Sequence, residues 1–128
     1  MINAVLRKLF VRRAPRIQGA SEDALLNYSL DLAQEWGQYW LQPIQSRLRS
    51  AYPGLPDSEL DRLNAAAQAA MTFAHDLVYS MADQYGRKFD QSKWAADVLA
   101  QFPWIDQKNI NHLHSTGLYY AWRDGVGQ

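Results

Sequence analysis

PDSELDRLNAAAQAAMTFAHDLVYSMADQYG, residues Pro56 to Gly86, decides how the rest of the chain is read. Leu60, Leu63, Ala67, Ala70, Ala74, Leu77, Met81 and Tyr85 recur in it every three or four residues, the period of one face of an α-helix. Asp57 or Ser58 is placed to cap its start, with Glu59 and Asp61 in the first turn, where the helix dipole favours anions. Gly86, followed by Arg87 and Lys88, marks the end. At the usual helical rise such a helix runs about 45 Å. Its middle, Ala65-Ala66-Ala67-Gln68-Ala69-Ala70, is nearly all small, so a neighbour with larger side chains can approach closely.

On the N-terminal side, Tyr52-Pro53-Gly54-Leu55-Pro56 has the composition of a turn. Before it, Ser21 is positioned to cap a helix with Glu22 and Asp23 in its first turn. Asn27, Asp31, Gln34, Gln38 and Gln42 form the polar stripe of that helix. Leu25, Leu26, Leu32, Ala33, Trp36, Tyr39, Trp40 and Leu41 form a broad apolar side that calls for more than one neighbour. Pro43 removes a helical hydrogen bond and predicts a kink or break, with helix resuming through Ile44, Leu48 and Ala51.

On the C-terminal side, Asp90 caps a helix whose apolar face is Trp94, Val98, Leu99 and Phe102, with Phe89 and Trp94 at staple spacing. Pro103 closes it. Asp106 caps the last helix, with Ile105 and Ile110 repeating the staple, and Ile110, Leu113, Gly117, Leu118 and Ala121 facing inward. Gly117 costs a helix about 1 kcal/mol against Ala, so it predicts a close helix contact. No stretch alternates with the period of a strand between hairpin turns. The expected fold is all-α: a compact bundle or orthogonal array of five to six helices around the long central one.

The 128 residues suit one domain with a real core, and an apolar content of 48% is that of a globular chain. Formal net charge is zero, so no nucleic-acid partner is expected. The charge is unevenly distributed, however. Residues 1–21 hold Arg7, Lys8, Arg12, Arg13 and Arg16 and no acid, leaving eight basic against 13 acidic residues in 22–128, a net of −5. Residues 1–20 thus read as a basic arm and 21–128 as an acidic helical body.

Within the arm, Ile2, Val5, Leu6, Leu9 and Phe10 lie opposite Arg7, Lys8, Arg12 and Arg13 on a helical projection, and Pro15 ends the pattern. Such a helix can dock its apolar stripe on the body. It can also lie on an anionic membrane surface or a partner, through Leu6, Arg7, Lys8, Phe10, Arg12 and Arg13. It shares the general character of a mitochondrial transit peptide, and it lacks the uninterrupted apolar core of a secretory signal. No apolar run reaches the roughly 20 residues that span a bilayer. The chain has no cysteine, which excludes disulfides, thiolate chemistry and Cys-ligated zinc and fits a cytoplasmic protein.

Phosphate-cradling Gly-rich loops, Gly-x-Ser-x-Gly elbows, His-Glu-x-x-His and EF-hand loops are all absent from the sequence. The candidate chemistry lies on the polar side of the central helix, where Gln68, Thr72, His75, Asp76, Tyr79 and Asp83 recur at three- and four-residue steps. His75 and Asp76 are the candidate catalytic pair, although a solvated face with Asp83 paired to Arg87 accounts for the same pattern. His112 shares a polar side with Lys108, Thr116, Tyr119 and Arg123, whereas His114 falls among apolar positions and reads as an interior histidine. Neither a metal site nor a cofactor is expected.

Aromatic residues are numerous: five Trp, seven Tyr and four Phe. Those not needed in the core mark a binding surface, and Trp36, Trp40, Tyr79, Trp104, His112, Tyr119, Tyr120 and Trp122 are the candidates. Tyr119, Tyr120 and Trp122 cannot share one side of a helix. The expected function is binding without catalysis, as an adaptor, regulator or subunit, with a protein partner or a second copy of the chain. The alternatives are a peripheral membrane protein docking through the arm and a small enzyme or ligand-binding protein using His75 and Asp76.

Overall fold

The computed structural model describes residues 20–35 and 42–128. The arm residues Leu6, Arg7, Lys8, Phe10, Arg12 and Arg13, and the aromatics Trp36 and Trp40, lie outside the described residues. Among those described there are five helices and no strand: α1 Glu22–Ala33, α2 Gln45–Ala51, α3 Asp57–Tyr85, α4 Gln91–Gln101 and α5 Gln107–Arg123. The fold is all-α, and α3 packs against each of the other four helices, most extensively against α1 and α5. None of these helices is long and apolar enough to cross a membrane.

The central helix has 29 residues. Its N-cap is Pro56, with no side-chain cap; Asp57 and Glu59 occupy the first turn and favour the dipole there. The expected caps, Asp57 and Ser58, are therefore already helical. The buried stripe is Leu60, Leu63, Ala67, Ala70, Met71, Ala74, Val78, Met81 and Ala82. In the last turns Val78 and Ala82 replace the expected Leu77 and Tyr85. The 3.6-residue period drifts past a fixed three-four spacing, and Tyr85 ends 62% exposed. Beyond the small middle, at Ala74, the Trp94 indole on α4 comes close enough for its Nε1–H to donate to the Ala74 carbonyl at 3.0 Å.

α1 is shorter than the sequence predicts, ending at Ala33 rather than near Gln42. Its last carbonyls are taken by groups outside the helix. The Leu32 carbonyl accepts from the Arg47 guanidinium at 2.8 Å, which also holds Glu35 at 2.5 Å and the Gln42 and Pro43 carbonyls. Gln34, placed on the polar stripe by spacing, is buried at 1% exposure. Its amide donates to Asn109 Oδ1 at 3.0 Å, and the Asn109 amide donates to Asn27 Oδ1 at 3.0 Å. Asn27 in turn donates to the Trp104 carbonyl and accepts from the Asp106 N–H. This ladder of amides clips α1 to the start of α5, which is why Gln34, at a position that reads as solvent-facing, is covered.

The caps of α4 and α5 form as expected. Asp90 accepts from the N–H groups of Ser92 and Lys93, and Asp106 from that of Asn109. On α5, Ile110, Leu113, Gly117 and Ala121 face the core, whereas Leu118 is only half-buried. Thr116 and Tyr120 are buried in its place. A Cβ added to Gly117 would lie 2.8 Å from Val78 Cγ2 and 3.1 Å from Val78 Cβ. Gly117 is thus a point where α5 approaches α3 closely, as its place inside a helix predicted.

Candidate functional site

Two concave features border α5, one against the C-terminal half of α3 and one against the connection that follows α3. The first is an open cleft of about 280 Å³ lined by Met71, Thr72, His75, Asp76, Tyr79, Tyr120 and Arg123. His75, Asp76 and Tyr79 share this cleft, as their one-turn spacing on α3 requires, while Asp83 lies beyond it. His75 is half-buried, and its Nε2 lies 2.9 Å from Thr116 Oγ1. The Thr116 hydroxyl also lies 2.9 Å from the His112 carbonyl one turn back, so His75, Thr116 and the α5 backbone form one hydrogen-bonded chain. Burial is the main cause that lowers the His75 pKa to about 4; the nearby Asp76 carboxylate opposes the shift and His112 reinforces it. His75 is therefore neutral near pH 7, with its Nε2 engaged by Thr116.

That assignment limits the chemistry available. A group with a pKa near 4 is a weak base at neutral pH and has no proton to give. Asp76 is exposed and acts on His75 through space; among the described residues no hydrogen bond joins the two side chains. His75 and Asp76 stand side by side on the cleft wall without a direct hydrogen bond. The other wall carries its own network. The Tyr79 hydroxyl donates to Asp124 Oδ2 at 2.5 Å, Arg123 pairs with Asp124 Oδ1 at 3.2 Å, and the Arg123 guanidinium stands 5.0 Å from the Tyr120 ring centroid. Desolvation, then the bond to Asp124, pushes the Tyr79 phenol up to about 12. Among the described residues no group of three or more His, Asp and Glu side chains converges to hold a metal ion.

The second feature is a groove of about 450 Å³ lined by Arg87, Lys88, Ser115, Leu118, Tyr119 and Trp122. Ser115, Leu118, Tyr119 and Trp122 share one face of α5 because they recur at three and four residues. Tyr119 is 45% and Trp122 55% exposed, and their ring centroids are 6.0 Å apart. Arg87 and Lys88 supply the opposite wall. The Asp83–Arg87 pair predicted from spacing is absent from the ion pairs of the described residues. Gly86 leaves the helix at φ +86°, so Arg87 is no longer one helical turn above Asp83.

The remaining candidates fall elsewhere. Trp104 is buried, its ring edge-on to Phe102 at 6.3 Å, and the Asn27 amide on α1 holds its carbonyl at 2.8 Å. Tyr120 is buried beside His75. His112 is half-buried and meets neither concavity with its side chain. His114 is packed between Phe89 and Trp94, with ring centroids 5.6 and 5.1 Å away, and burial lowers its pKa. Arg87, Lys88, Ser115 and Leu118 were not anticipated. The signal for them was present in the Gly86 stop, which frees the cations, and in the 115–118–122 spacing.

No protein-family model, curated protein or solved structure matches the chain.

Proposed function

We propose that this protein works by binding a partner protein, without catalysis of its own, and that the groove beside Trp122 is its contact surface. The exposure of Trp122 and Tyr119 on one wall of that groove carries the reading. Large aromatic side chains left outside a core that has room for Trp94 and Trp104 are the residue types that dominate interface energetics. The groove is open to solvent, which favours an occupant with contacts extending beyond it. The His75 cleft, whose imidazole burial keeps neutral and whose Nε2 is engaged by Thr116, offers less to a catalytic reading.

The test is site-specific photo-cross-linking in extract of the native cells, with the cross-linker at Ser115 and, as a control, at exposed Gln101. A discrete protein captured from Ser115 and not from Gln101 is then purified and titrated calorimetrically. Trp122→Ala is expected to weaken that binding by about tenfold or more, about 1.4 kcal/mol. Capture that does not differ between the two positions removes the proposal. Light scattering of the purified chain shows whether a second copy can serve as the partner.

A further inference from the structure

The charges around the groove point to the class of partner, in an inference that rests on the binding reading above. Residues 22–128 carry eight cations. Five of them, Arg47, Arg49, Arg62, Lys108 and Arg123, hold a carboxylate. Arg87, Lys88 and Lys93 make no ion pair among the described residues, and all three lie at the α3–α4 junction. Arg87 and Lys88 line the groove, and no acidic residue does. On a body with a net charge of −5, a concavity whose walls are two cations and an aromatic-aliphatic face is a local reversal of sign. The nearest carboxylate in sequence, Asp90, is already engaged by two backbone N–H groups at the start of α4.

We infer that the groove takes an acidic segment of another protein, with an aromatic or large aliphatic side chain against Leu118 and Trp122 and flanking carboxylates on Arg87 and Lys88. The apolar wall supplies the anchor, and the cations supply the sign selection that an apolar groove alone lacks. The same cations disfavour a basic segment, so specificity comes from repulsion as well as attraction. A membrane is the less fitting occupant, because a bilayer surface presents nothing to fill a concavity between a helix face and a loop.

The experiment is an mRNA-display selection of random peptides on the full-length chain, with counter-selection on Trp122→Ala. Melting curves first establish that this variant folds, as expected for an exposed side chain. Enriched peptides are expected to be acidic around an aromatic or aliphatic residue, and to bind Arg87→Glu/Lys88→Glu at least about tenfold more weakly. Replacing their Glu and Asp by Lys should restore binding to that charge-reversed variant. Trp122-dependent peptides that are neutral or basic overturn the acidic assignment while leaving the binding reading standing. Trp122-dependent flotation with vesicles of phosphatidylserine and phosphatidylcholine, without peptide enrichment, assigns the surface to a membrane and overturns the inference. Absence of any Trp122-dependent enrichment or flotation overturns both readings.

Discussion

Gly117→Ala sets two effects of known size against each other. In an exposed helix the change gains about 1 kcal/mol of helix propensity. Here the new Cβ would sit 2.8 Å from Val78 Cγ2, 3.1 Å from Val78 Cβ and 3.3 Å from His75 Cδ2. Val78 is fully buried, and its Cβ is fixed to the α3 backbone, so the clash cannot be relieved by turning the end of a flexible side chain. Overpacking of this kind costs about 1–3 kcal/mol, and the net expectation is a loss of about 1 kcal/mol, or roughly 3–6 °C in Tm. Urea denaturation followed by circular dichroism measures it. Val78→Ala alone should cost about 2 kcal/mol by opening a cavity, yet the double variant should lose less than the two single losses combined, with a coupling of about 1–2 kcal/mol. If Gly117→Ala instead stabilises the fold by the full propensity gain, α3 and α5 do not approach as described and the argument fails.

Because burial holds the His75 pKa near 4, below the ordinary 6.5, the unfolded chain binds the extra proton first as pH falls. Its contribution is fully present above pH 6.5 and is lost progressively toward pH 4; the difference between wild type and His75→Gln should shrink across that window by up to about 3 kcal/mol. A pH-independent difference would place His75 in solvent. Asn109→Ala should destabilise by about 2–3 kcal/mol, since it leaves the Gln34 amide and Asn27 without their shared partner; a loss under about 0.5 kcal/mol would mean that the ladder does not hold α1 to α5. Arg62→Met leaves the Glu22 carboxylate, 6% exposed, without the guanidinium it holds at 2.7 Å, and should cost about 3 kcal/mol in the same denaturation assay. Trp122→Ala should move stability by no more than about 0.5 kcal/mol, whatever it does to binding.

Local sequence determined what local physics controls. The central helix, the Asp90 and Asp106 caps and the Gly86 stop were all legible, because each depends on residues within a turn or two of one another; the close contact at Gly117 was signalled by a glycine inside a helix, but its partner Val78 was not. The apolar period likewise announced an all-α core. Side-chain fate across helices was not legible in the same way. Gln34 and Thr116 sit at positions that a single-helix projection assigns to solvent, and only the packing of α1 and α3 against α5 supplied Asn109 and His75 as their partners. His75 looked like a pair with Asp76 because they are adjacent; its actual partner is 41 residues away on another helix. Trp104 and Trp122 are chemically identical in a sequence, and one is core while the other is surface because the α4–α5 connection folds inward and the end of α5 does not. Arg87 was lost to its expected partner through one glycine dihedral, and the groove exists because α5 happens to run beside the loop that this dihedral redirects. Periodicity and caps are encoded within a turn of chain, whereas burial, proton placement and concavity are properties of which helix lies next to which.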